Sequence, residues 1–299
     1  MIWVNQIVQG VLLGGYYAVL ACGLSLIFGV MRIINLAHGD LAVLGAFLVF
    51  VLSEHGLSPW VALAVVLPAM AVFGWGLQRT MLERSLRAGE LTPLLTTFGL
   101  AIVIQNLLFE EFGANERSLF PYIGTLGFDS WTITSQIHVA KLYVLIFVVA
   151  VVLLGGLQLL LRRTPIGRAL RATAEDPDTA ELVGVNSRAV YALAAGIAVA
   201  TAALAGAFLG MRSSFNPYSG SQQLIFAFEA VVIGGLGSLW GTLAGGIVLG
   251  VAQTVGAQIN PQWSLLAGNV VFLVILAARL LLAGLAGRGG LRAIVGQRS

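Results

Sequence analysis

The chain has 299 residues, of which 58% are apolar and 10% charged. Soluble domains carry about 25% charged residues, so a soluble globular domain is excluded, and disorder is excluded with it because it needs the opposite bias. Sixteen basic and 13 acidic side chains leave a net charge of +3, too sparse for a nucleic-acid surface. The one cysteine, Cys22, supports neither a disulfide framework nor a cysteine-based metal site.

A bilayer core about 30 Å thick needs about 20 apolar residues in helical form, because lipid offers the backbone no hydrogen-bond partner. Ile2 to Met31 carries no formal charge and lacks the basic start of a secretory signal, so a retained span is expected there. Ile33 to Ser53 follows. Its first half would carry Asn35, His38 and Asp40 into the membrane, so it is expected to be broken or to line a cavity. Trp60 to Leu77, Leu91 to Phe109, Leu142 to Leu161 and Ala189 to Gly210 read as plain spans. Leu224 to Ala257 holds one charge, Glu229, and a glycine cluster, Gly234, Gly235 and Gly237, that predicts two segments with a break. Ser264 to Ala286 closes the set.

Arginine and lysine in short loops stay cytoplasmic. One alternation places Arg32, Arg79, Arg84, Arg87, Arg162, Arg163, Arg168, Arg171, Arg188, Arg288, Arg292 and Arg298 inside, and only Arg117, Lys141 and Arg212 outside, with Arg279 unassigned. The N-terminus then lies outside and the C-terminus inside, and the odd parity favours nine crossings over eight. The expected fold is an all-α polytopic membrane protein, residues 1–299 forming one transmembrane domain. It has an outer loop at 110–141, either a folded cap or a solvated connection, and an inner loop at 162–188.

Several chemistries are missing. Lys141 is the only lysine and is followed by Leu142, so no phosphate-cradling Gly-x-x-x-x-Gly-Lys-Ser/Thr loop exists. Any ATP used is hydrolysed by another subunit. His38, His55 and His138 are far apart and no zinc-type spacing occurs, so no metal site is expected. No nucleophile elbow appears, and no enzyme is proposed.

What is present is polar residues at membrane depth and small-residue stripes. An acid near mid-membrane costs about 2.5–3.5 kcal/mol unless it faces protein or water, so Asp40 and Glu229 are expected to point inward. Asp40 either caps a helix resuming at Leu41 or lines a substrate path with Asn35 and His38. Glu229 either holds a helix break or lines the same path. Gln105 is a weaker path candidate, and Asn106, Thr96 and Thr97 are weaker still. Gly234, Gly235, Gly237, Gly241 and Gly245, with Gly246 and Gly250, Gly10 and Gly14, and Gly206 and Gly210, read as seams of close helix packing. In the inner loop, Pro165 opens one helix with Ile166, Ala169, Leu170 and Thr173 on one face. Asp176 as N-cap, Pro177 at the first helical position and Gly184 as stop frame a second. These short helices either seat on a partner or form a solvated connector.

Three separated motifs now stand together: Asn35-Leu-Ala-His-Gly-Asp40 with Leu44-Gly-Ala46; Gly167-Arg168-Ala-x-Arg171-Ala-x-Ala-Glu175-Asp176 through Ala180 to Gly184-Val-Asn186; and Val232-Ile-Gly-Gly-Leu-Gly-Ser-Leu-Trp-Gly241. In this order they resemble the LivH-type permeases of branched-chain amino acid ABC importers, over essentially the whole chain. The resemblance implies an inverted-repeat importer fold in a bacterial inner membrane. It also implies a LivM-type permease partner, two LivG/LivF-type ATPase subunits that hold ATP and magnesium, and a periplasmic solute-binding protein. Arg168, Arg171, Glu175, Asp176, Ala180 and Gly184 carry over as ATPase-coupling positions. Two departures mark this chain: the family often has Glu where Asp40 stands, and a small or neutral residue where Glu229 stands. The same family imports urea, short amides and aromatic acids, so the solute stays open. The rival class is an ion-coupled secondary transporter using Asp40, His38 and Glu229 as a relay.

Overall fold

In a computed structural model the chain is a bundle of long helices with one small hairpin. The structure describes residues 2–89, 91–134 and 137–295. The side chains of residues 2, 87, 133, 134, 137, 138 and 283–295, among them Arg87, His138, Arg288 and Arg292, lie outside the described residues, as does Arg298.

Helix α1 (Ile2–Met31) packs along α11 (Leu239–Ile259) and α9 (Ser187–Arg212), while α2 (His38–Glu54) and α3 (Pro59–Leu77) pack on the far side of α9. The remaining long helices, α5 (Thr92–Phe112), α6 (Lys141–Arg163), α10 (Ser219–Gly234) and α12 (Trp263–Val295), surround this centre. A short α4 (Glu83–Ala88) continues α3 through a π-turn at Gln78–Leu82. Starts follow local capping chemistry. Ser58 Oγ accepts from Val61 N ahead of Pro59, Asn186 Oδ1 from Ala189 N, and Ser238 Oγ from Gly241 N.

Among the described residues, seven helices are long and apolar enough to cross a membrane, fewer than the eight to nine expected. The difference lies in α2 and α10. With 17 and 16 residues, they reach only about 25 Å at 1.5 Å per residue, short of a ~30 Å core. Helix α2 begins deep in the bundle, because His38 Nε2 donates to the Leu20 carbonyl at 2.8 Å, near the middle of α1. Leu20 lies ~17 Å from the end of α1, so the non-helical residues 32–37, which close in a turn at Asn35, carry the chain back into the bundle before α2 starts. Arg32, at φ 54°, makes the reversal and is the only non-glycine residue with positive φ among the described residues. The predicted break in the second segment thus falls before α2.

The other predicted break lies between α10 and α11, where Gly235 (φ 99°) and Gly237 (φ 80°) form the turn. The Gly234, Gly241 and Gly245 positions bring α10 and α11 backbones together; a methyl group on any of them would collide with the facing carbonyl of Gly241, Gly234 or Ala230. Gly246 and Gly250 meet Gly14 and Gly10 of α1 in the same way. Gly235 is a correction to the packing set, since a methyl group there meets nothing within 4 Å; its place is set by the turn. Gly210 also departs from the seam reading, because it seats the side chains of Leu119 and Phe215 instead of a helix. Arg279, unassigned from sequence, caps α10 by donating from Nη1 to the Val232 carbonyl and from Nη2 to the Ile233 carbonyl, each at 2.7 Å.

The loop at 110–141 is folded. Leu119 N donates to the Gly210 carbonyl at 2.8 Å, Arg117 and Phe215 exchange backbone hydrogen bonds, and Arg117 and Tyr122 pack on the Phe50 ring. An antiparallel hairpin of β1 (Ser130–Thr134) and β2 (Ile137–Ala140), fastened by the Lys141–Asp129 ion pair at 2.9 Å, completes it. The all-helical expectation therefore missed one small β element.

Candidate functional site

The start of α2 gathers six polar side chains, Asn35, His38, Asp40, Thr97, Gln105 and Ser221. Asn35 Oδ1 accepts from Ala37 N at 3.0 Å, making the turn into the helix, and Thr97 Oγ1 of α5 accepts from Leu36 N at 3.1 Å. Unpaired backbone at membrane depth needs such partners. Asp40 is not the N-cap that one reading gave it. The helix begins at His38 with Ala37 as cap residue, so Asp40 sits in the first turn, where a carboxylate complements the helix dipole. Its Oδ1 accepts from Gln105 Nε2 at 2.8 Å, and Gln105 Nε2 also reaches Ser221 Oγ of α10 at 3.4 Å. Gly39 and Gly220 let the starts of α2 and α10 touch, and Asp40 lies directly against Gly220. Three helices thus meet at one carboxyl inside the bundle. His38 is fully buried, and its Nδ1 has no hydrogen-bond partner among the described residues.

Glu229 stands apart from this group. It lies on α10 ~13 Å beyond Gly220, buried, with Oε2 unpartnered among the described residues. The structure brings Asn35, His38, Asp40 and Gln105 together and leaves Glu229 out.

A second buried polar cluster was not anticipated from sequence. Tyr16 donates to Gln223 Oε1 at 2.6 Å, Tyr17 donates to Gln253, and the Arg212 guanidinium lies 4.4 Å from the Tyr16 ring centroid. Loop charge counting assigns Arg212 to the outer side and says nothing of its burial. Its side chain folds back between helices, where a desolvated cation–π contact is worth about 2 kcal/mol. The available signal was the Tyr-Tyr pair in an otherwise uncharged apolar run.

At the arginine-rich end, α7 (Pro165–Glu175) and α8 (Pro177–Leu182) follow α6. Thr164 Oγ1 caps α7 by accepting from Gly167 N at 3.0 Å. Asp176 caps α8, its Oδ1 accepting from Asp178 N and Thr179 N and its Oδ2 from Thr179 Oγ1 at 2.5 Å. The Thr179 hydroxyl and the backbone N–H groups hold the Asp176 carboxyl below the usual carboxylate range. Gly184 takes φ 87° and ends the segment. Leu170 and Thr173 are buried, but Ile166, expected on the same face, is exposed, because Gly167 is the residue pressed against the end of α6. Arg171 donates back to the Leu161 carbonyl, while Arg168, Glu175 and Asp176 remain exposed and Ala180 is buried. Leu182 and Val183 are 87% and 76% exposed. A cleft of about 330 Å³ runs between Ala172, Glu175, Asp176, Thr179, Ala180 and Val183.

Long apolar helices around two short ones that start inside the bundle define a polytopic membrane protein. The chain belongs to the family described as branched-chain amino acid transport system / permease component, whose pattern matches residues 6–279. It is 34% identical to the high-affinity branched-chain amino acid transport system permease protein BraD of Pseudomonas aeruginosa, over 86% of this chain and 87% of that one. Against Escherichia coli LivH, a permease protein of the same system, identity is 29% over 85% and 86% of the two chains. E. coli LivM, also a permease protein of that system, is 26% identical over 87% of this chain and 66% of its own length. No solved structure matches.

Proposed function

We propose that this chain is the membrane-spanning subunit of a binding-protein-dependent ABC importer, carrying branched-chain or other hydrophobic amino acids inward. Its arginine-rich loops face the cytoplasm of a bacterial inner membrane, with the N-terminus outside and the C-terminus inside. A homologous LivM-type permease completes the pathway; the similarity of this chain to both LivH and LivM supports a pair of related halves. A periplasmic solute-binding protein delivers the solute. Two LivG/LivF-type subunits bind ATP and magnesium, and this chain performs no catalysis of its own.

The observation that carries the reading is the α7–α8 segment. Two short, firmly capped helices present Glu175, Asp176, Leu182 and Val183 beside a cleft at the arginine-rich end. Exposed apolar side chains next to a shaped cleft fit a docking ATPase better than solvent. Arg168, Arg171, Glu175, Asp176, Ala180 and Gly184 act as its coupling positions. ATP-driven closure of the docked subunits moves α7 and α8 against α6. The joint formed by Asn35, His38, Asp40, Gln105 and the start of α10 lies on the solute path, with Glu229 further along it.

The test is co-purification of the ATPases with Glu175→Lys, Leu182→Asp and Gly184→Val variants. Loss of the ATPases with unchanged thermal unfolding of the permease supports the reading, and normal co-purification overturns it. Transport by the purified chain alone, driven by an ion gradient, overturns it as well. A ligand panel on the partner binding protein identifies the solute, with urea, short amides and aromatic acids as the alternatives.

A further inference from the structure

A cavity of about 410 Å³ lies at the arginine-rich end, between the last turns of α1, the end of α6, α7 and the turn into α11. This volume is in the range that holds small ligands, about 300–1,000 Å³. Its wall includes Ser25, Gln158, Arg162, Arg171 and Leu239.

The chemistry of that wall is one-sided. With the Gln158 amide turned so that its oxygen faces Arg162, the orientation that satisfies both groups, Arg162 donates to that oxygen from Nε at 2.7 Å and from Nη2 at 3.3 Å, which orients the guanidinium. Arg171 uses one Nη1 donor on the Leu161 carbonyl. Each guanidinium has five N–H donors, so both retain free ones. Neither has a carboxylate partner among the described residues, where the ion pairs are Lys141–Asp129 and Arg188–Glu83. Ser25 is 1% exposed, and its Oγ has no hydrogen-bond partner among the described residues. Helix α11 begins at the same wall and contributes the partial positive charge of its N-terminus. Two cations, a helix start and an orphaned hydroxyl thus line one space, and none of its lining residues is acidic.

We propose that this cavity binds a phosphate group of net negative charge, one not neutralised within its own headgroup as it is in phosphatidylcholine, held by Arg162 and Arg171 with Ser25 donating a hydroxyl hydrogen bond. The cavity lies near the ends of α1 and α6, beside the arginine-rich loops, and basic pockets between helix ends suit anionic headgroups. Guanidinium forks bind phosphate oxygens in bidentate fashion, which a lysine cannot reproduce. The phosphate comes from a lipid headgroup or from free phosphate, and the experiment separates the two.

The full permease, purified with its partner subunits, is placed in nanodiscs of phosphatidylglycerol or of phosphatidylcholine, and retained lipid is counted by native mass spectrometry. Inorganic phosphate is titrated calorimetrically into the phosphatidylcholine preparation. Preferential retention of phosphatidylglycerol, weakened about tenfold or more by Arg162→Gln with Arg171→Gln, supports a headgroup; removal of a charge-assisted fork predicts that size. Saturable phosphate binding lost in the same variant supports free phosphate. Ser25→Ala and Arg162→Lys, with unfolding temperatures of the wild type, serve where the double variant fails to assemble, and each is expected to weaken binding several-fold. No preference between the lipids together with no phosphate binding, or binding that none of these variants changes, overturns the proposal.

Discussion

Replacing Gly220 by alanine tests the contact on which the buried joint depends. A Cβ at that position would fall 2.6 Å from Asp40 Cγ and 2.8 Å from Asp40 Cα, and it would collide with Asp40 Oδ1. The side chain can rotate, but the α2 backbone cannot yield without the two helices moving apart. Overpacking costs typically ~1–3 kcal/mol, and a clash that includes backbone belongs in the upper half, ~2–3 kcal/mol. Separating α2 from α10 also lengthens the path from Gln105 to Ser221, at 3.4 Å already the longer of its two hydrogen bonds. Unfolding in mild detergent should show this loss, and solute uptake in proteoliposomes should fall with it. Gly99→Ala is the control, because a methyl group on Gly99 of α5 meets nothing within 4 Å. Wild-type unfolding and uptake in Gly220→Ala would refute the close approach of the two helix starts.

Gln105→Leu removes the donor to Asp40 and should destabilise the protein by ~1–3 kcal/mol. Gln105→Glu should impair uptake more, by facing one carboxyl with another; equal uptake in both variants would separate Gln105 from the solute path. Arg279→Gln should loosen the end of α10, at a cost of ~1–3 kcal/mol for hydrogen bonds from a charged donor, read as faster hydrogen exchange around Val231 to Gly235. The Asp176 cap sets a pH dependence on α8. Its folded-state pKa is depressed, so its contribution is full above the ordinary carboxylate pKa and disappears as pH falls through the lower folded value. Exchange protection of the Thr179 amide should therefore persist below the ordinary aspartate pKa, and Asp176→Asn should flatten that pH dependence.

Segments governed by local chemistry were legible in the sequence. Asp176, Pro177 and Gly184 announce α8 because capping, a fixed φ and a positive φ are properties of single residues and their immediate neighbours. The glycines at 234–237 announce a break for the same reason. The long spans follow from apolar length alone, with boundaries displaced by at most three residues except at α12, which runs nine residues past the expected Ala286. The depth at which α2 begins was not legible, since it depends on Arg32 reversing the chain and on a carbonyl of α1 reaching His38. Neither was the Asp40–Gln105 contact, which joins residues on two separate helices. The burial of Arg212 was not legible, because charge counting locates only the end of a helix, while a long flexible side chain can bring its charge back among tyrosines. The hairpin at 130–140 was missed because four or five residues per strand give a weak alternation signal.

The reversal at Arg32 has a consequence for biogenesis. Helix α2 emerges from the ribosome long before Gln105 of α5, and Gly220 of α10 arrives later still. At 5–20 residues per second, the interval between Asp40 and Gly220 amounts to about 10–40 s. Throughout that wait a polar stretch must be shielded from hydrocarbon by the insertion machinery or by a shallow provisional position. Slowing translation near codon 220, or mutating the late-arriving helix, is thus expected to expose α2 to membrane quality-control proteases before any defect in solute movement can be measured.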